Sequence, residues 1–225
     1  MNLSQTLGAA IIMACGSAAL AGPVVDLAPG EITGELSGIT NSTMGELIGS
    51  VQSDVYQDFA IYANQGEGRG LPALYEGTLL TRVVRSNQTG NLHFNYRILN
   101  ANSELAGMIS RIEVDGFEGF QTRVEYRNEL SSPGVQGPSD ASRSENGNIL
   151  NFEFDELLDS SADSRYFFAM VDTDTFYENA ANATIFLQNG ESVTLSVAGA
   201  TPSVPAPGAL ALLSAGGLMT MRRRR

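Results

Sequence analysis

Between Leu92 and Ile98 every second side chain is large and apolar: Leu92, Phe94, Tyr96 and Ile98 alternate with His93, Asn95 and Arg97. A period of two puts the first set on one face of a strand and the second set on the other. Burying such a row stabilises by about 1.5–3 kcal/mol per side chain. The row must therefore meet an opposing layer, and for a strand that layer is a second sheet. On this reading His93 lies on the outer, solvent-facing side, a surface histidine rather than a catalytic one.

The same rhythm recurs along the chain. Residues 78–85 are rich in β-branched side chains, and the Ser-Asn-Gln-Thr-Gly turn at 86–90 joins them to 91–100 as a hairpin. Val55, Phe59 and Ile61, with Tyr56 and Tyr62, read as an earlier strand ended by a Gly-rich loop at 64–68. Ile112 and Val114 alternate with charged residues, and Thr122, Val124 and Tyr126 alternate with Arg123, Glu125 and Arg127. Residues 128–148, with Pro133 and Pro138, read as a long surface loop. Leu150, Phe152 and Phe154 face inward from the next strand. The apolar run at 166–171 predicts a central strand covered on both faces. A last hairpin joins 182–188 to 192–197 across Asn189-Gly190, with Val193, Leu195 and Val197 inward. Residues 22–53 show neither period and read as irregular, with room for one short strand or helix near 44–48. Short strands without a sustained helical period predict an all-β chain, an antiparallel two-sheet sandwich over residues 54–201. Its topology is expected to be jelly-roll or immunoglobulin-like.

Both ends carry addresses. Residues 9–20 are small and apolar, and Ala19-Leu20-Ala21 has the small-x-small pattern of a signal-peptide cleavage site, with Gly22 the new N-terminus. Cys15, the only cysteine, would leave with that peptide; the bulky Met13 makes it a poor lipidation site. At the other end, residues 202–225 hold three parts in order. Val204-Pro205-Ala206-Pro207 is followed by a largely apolar run of 13 residues at 209–221 and by Arg222, Arg223, Arg224 and Arg225. As a helix the run spans roughly 20 Å, at ~1.5 Å per residue. A hydrocarbon core of ~30 Å needs about 20 such residues. The segment can therefore halt a translocating chain without anchoring it firmly, and the arginines hold its far end in the cytoplasm.

This tail resembles the PEP-CTERM sorting signal of exopolysaccharide-producing bacteria, with Ala206 where that signal usually has Glu. The resemblance implies passage through the general secretion machinery, transient insertion of a short helix in the inner membrane, and processing by an exosortase-type enzyme. Delivery to the cell envelope, outer surface or extracellular matrix would follow. The stretch from 76 to 201 is also similar to a body domain of such sorted proteins, through G-N-L-x-F-x-Y at 90–96 and F-E-G-F-Q-T-R-V-E-Y-R at 117–127. That resemblance implies no chemistry.

The charge narrows the partners. Residues 22–203 carry all 25 Asp and Glu against nine arginines, and the chain has no lysine. Such a surface repels phosphate backbones, so nucleic acid is excluded as a partner. One histidine and no cysteine after leader removal exclude an ordinary structural zinc site. Calcium is the one cofactor candidate, through Asp155, Asp159 and Asp163 with Glu156 in one loop and Asp172 and Asp174 in another; solvated acidic loops are the alternative. Tyr126, Tyr166 and Tyr177 could serve a weak carbohydrate site, or simply edge the core. A glycosidase would need two carboxylates about 5–9 Å apart. Asn41, Asn87 and Asn182 begin N-x-Ser/Thr triplets that read as turn residues. The expectation is an exported, non-enzymatic envelope or matrix protein. The alternative is a carbohydrate-binding module or weak glycosidase acting on matrix exopolysaccharide.

Overall fold

The computed structural model describes residues 24–40, 45–63, 71–128 and 134–202. The leader, the sorting tail from 203, the Asn41 triplet and the loop at 64–68 lie outside the described residues.

The chain is all-β. Among the described residues the strands are β1 (Val25–Asp26), β2 (Gly49–Tyr62), β3 (Ala73–Ser86), β4 (Leu92–Asn100), β5 (Met108–Val114), β6 (Thr122–Tyr126), β7 (Asp140–Arg143), β8 (Leu150–Asp159), β9 (Phe167–Val171), β10 (Thr175–Leu187) and β11 (Ser192–Thr201). They form a six-stranded sheet, ordered β1-β6-β9-β4-β3-β2, and a five-stranded sheet, ordered β11-β10-β5-β8-β7. Every strand pair is antiparallel. The expected hairpins are present, β3 to β4 and β10 to β11, and β3, β10 and β11 run longer than the sequence marked.

One core lies between the sheets. Phe94, Tyr96 and Phe167 from the larger sheet meet Phe152 and Phe154 from the smaller. The Phe167 ring lies 5.8 Å from Tyr96, 4.9 Å from Phe152 and 6.0 Å from Phe154, distances at which tilted aromatic pairs attract beyond their area burial. All five residues of β9 are buried, as its unbroken apolar run predicts for a strand covered on both faces.

Three expectations are corrected. Residues 22–53 are not separate from the sandwich: β1 pairs with β6, and β2 begins at Gly49 rather than at 54. The segment also covers the outer face of the larger sheet, where Ile39 is fully buried against Phe168 and Met170, with Val24 and Leu47 beside them. Consequently the face expected to meet solvent is enclosed. His93 is 1% exposed and sits in register with Met170; Asn95 and Arg97 are buried too, and Glu125 is fully buried. Finally, the expected surface loop contains β7, which extends the smaller sheet beside β8 and buries Ala141 and Arg143. Four residues, Asp-Ala-Ser-Arg, are too few and too polar to show a period.

Candidate functional site

A cleft of about 540 Å³ opens where the N-terminal segment, the approach to β7 and the middle of β8 meet. Its walls include Leu36, Tyr126, Pro138, Asp140, Asp155 and Glu156. Backbone pairing fixes these walls. The Leu36 N–H donates to the Ser139 carbonyl at 2.8 Å, and the Ser139 N–H donates to the Glu153 carbonyl at 2.8 Å. The Asp155 N–H donates to Ser139 Oγ at 2.7 Å. Ser139 thus ties three segments together at the cleft floor.

Tyr126 is held by two glycines. A Cβ at Gly38 would come within 2.7 Å of the Tyr126 ring, and one at Gly137 within 2.4 Å. Only residues without a side chain can lie so close to the ring. Burial pushes the Tyr126 phenol up, as do Glu125 and Glu35, while Arg165 pulls it down. The Asp140 carboxyl is also pushed up, first by burial and then by the charges of Glu153 and Asp155. The exposed carboxylates of Asp155 and Glu156 beside it give the cleft hydrogen-bond acceptors.

The sequence candidates fall in several places. Tyr126 and Asp155, singled out for different reasons, share the cleft. Tyr166 is buried instead beside two guanidinium groups, with Arg82 Cζ 5.4 Å and Arg97 Cζ 5.6 Å from its ring centre. Tyr177 is 68% exposed on β10, away from both. The calcium candidates are dispersed. Asp159 accepts from the Ser161 N–H at 2.7 Å and Oγ at 2.6 Å, bonds that lower its carboxyl. Asp163 bridges Arg97 Nη2, at 2.7 Å, and the Asn100 N–H, at 2.9 Å. Asp172 accepts from the Gln121 N–H at 2.8 Å, beyond the opposite end of β9, and Asp174 is exposed there. Among the described residues, no three His, Cys, Asp or Glu side chains are grouped to hold one metal ion. Asn87 lies in the β3–β4 turn, and Asn182 Nδ2 donates to Asp115 Oδ2 at 3.0 Å.

Sequence reasoning missed Arg143, Glu125, Gly38 and Gly137. Arg143, Gly38 and Gly137 lie in stretches with no period to detect, while Glu125 stands on the outer face of an alternating strand whose covering segment shows no period. Comparison of the chain with protein-family models, with curated proteins and with solved structures finds no match.

Proposed function

We propose that the chain is an exported, non-enzymatic protein of the cell envelope or extracellular matrix, sorted and processed through its C-terminal signal. The observation that carries this reading is the order of the tail: the Pro motif Val204-Pro205-Ala206-Pro207, a 13-residue apolar run, then Arg222 to Arg225. Such a tail stops in a bilayer without filling it. The body supports the reading as cargo, since an acidic sandwich with its own core needs no other segment to bury its apolar rows. Its connections alternate between the sheets from β4 to β7 and from β8 to β10, a jelly-roll-like habit. The test is to fuse residues 204–225 to a secreted reporter in a host with an exosortase-type enzyme. A reporter trimmed of the tail and found outside the inner membrane supports sorting. Identical fate with and without the tail rejects it.

A second reading, carbohydrate binding on matrix polysaccharide, draws on the cleft. Tyr126 and Pro138 offer apolar surface there, beside Asp140, Asp155 and Glu156. Carboxylates accept hydrogen bonds from sugar hydroxyls, and an aromatic flank suits the apolar face of a ring.

A further inference from the structure

We propose that residues 36–40 form a strap over the outer face of the six-stranded sheet, held down by the neutral form of Glu125 and loosened when that carboxyl ionises. Besides the Leu36 bond to Ser139, three attachments hold the strap to β6 and the residues that follow it. The Gly38 N–H donates to Glu125 Oε1 at 3.0 Å. The Ile39 N–H donates to the Tyr126 carbonyl at 2.8 Å, and the Asn128 N–H donates to the Ile39 carbonyl at 2.7 Å. The Ile39 side chain, fully buried on Phe168 and Met170, is what the strap seals.

Glu125 sits beneath the strap on β6, in register with Phe168. Its Oε1 also accepts from the Tyr126 N–H at 3.0 Å. Its Oε2 is buried with no hydrogen-bond partner among the described residues. An ionised carboxylate with one oxygen unsolvated is costly; a neutral carboxyl costs much less. Burial accordingly pushes the Glu125 carboxyl up, more than the amides of Tyr126, Gly38 and Ser37 pull it down. Each element against it bears on the charge. β9 offers only Phe168 and Met170 on this face, β1 adds Asp26 in register with Arg123, and Glu35 immediately precedes the strap. On β4, His93 and Asn95 lie on the same face, with Arg97 held by Asp163. Arg123 precedes and Arg127 follows Glu125 on its own chain, and Arg165 bears on Tyr126.

The sign follows from proton linkage. With the strap down, Glu125 keeps its proton to a higher pH than with the strap lifted. Closure is fully supported below the ordinary carboxyl range and weakens as pH rises through the raised value. Within that window the opening constant grows by up to about tenfold per pH unit.

Amide hydrogen exchange on the whole chain, corrected for intrinsic rates, tests the idea at Gly38, Ile39 and Asn128 against core amides such as Ile112. The expected result is protection at the three strap amides that falls with rising pH while the core stays protected. In Glu125→Gln, which keeps an acceptor without a charge, strap protection should not vary with pH and should match the wild type at low pH. Strap protection independent of pH in the wild type overturns the proposal. So does an unchanged pH dependence in Glu125→Gln, which would assign it to another group such as His93. A fold too weak to measure in Glu125→Gln would also overturn it, because the neutral isostere is required to hold the strap.

Discussion

Arg143 Nη1 donates to the carbonyl of Leu27 at 3.0 Å, across 116 positions of sequence. The same guanidinium donates to the carbonyls of Gly147, Phe117 and Phe120 at 2.9, 2.7 and 2.9 Å. It is 4% exposed, and burial lowers its pKa. One side chain on the outermost strand of the smaller sheet, where residues 31–33 bridge β7, thereby joins the N-terminal segment, the β5–β6 connection and the turn after β7. The planar fork meets four carbonyls at once, which an ammonium cannot do.

Arg143→Met should destabilise by about 3 kcal/mol or more, because several buried carbonyls lose their donor together. Arg143→Lys should recover only a small part of that loss. Thermal unfolding of both variants checks the claim, and a wild-type midpoint for the lysine variant contradicts it.

Gly38 and Gly90 separate crowding from backbone strain. Both have positive φ, 73° and 77°. A Cβ at Gly38 would lie 2.5 Å from Asn128 Cβ and 2.7 Å from the Tyr126 ring, while one at Gly90 meets nothing within 4 Å. Gly90→Ala should cost about 1 kcal/mol, the strain of a left-handed alanine. Gly38→Ala should cost about 1–3 kcal/mol more, through overpacking. Urea unfolding of the two variants measures the difference directly.

Asp140 gives the cleft a pH signature. Its carboxyl is raised by burial and by Glu153 and Asp155. Its stabilising contribution is therefore complete below the ordinary aspartate range and is lost as pH rises through the raised value. Asp140→Asn should melt higher than the wild type at neutral pH, and the gap should close on acidification below that range. A gap that widens in acid would contradict the assignment.

Much of the fold was legible because one face of most strands is apolar and the other is not. The β3–β4 and β10–β11 hairpins, the inward row Leu150, Phe152 and Phe154, and the doubly covered β9 all follow from alternation and turn chemistry. Alternation cannot say whether a polar face meets solvent or another segment. His93, Asn95 and Glu125 were read outward, and the covering chain comes from residues 24–48, whose own sequence shows no period. Half of the site was legible for a different reason. Tyr126 and Asp155 stood out by residue type, but the glycines that hold the ring and the serine that ties the walls are recognisable only from the contacts they make.

The cleft reading makes its own prediction. Asp155 and Glu156 are exposed, so Asp155→Asn and Glu156→Gln should fold normally. If the cleft binds matrix polysaccharide, the double variant should bind about tenfold more weakly, the loss of roughly 1.4 kcal/mol of hydrogen bonding. Titration with soluble oligosaccharides of the matrix checks this. Binding unaffected by the double change removes the cleft from the account.

Export and trimming remain the central claim, and the intact mass of the protein recovered from outside the inner membrane tests it most directly. The account predicts a chain that begins at Gly22 and has lost Arg222 to Arg225 together with the apolar run. A recovered mass that still includes Arg225 would contradict it.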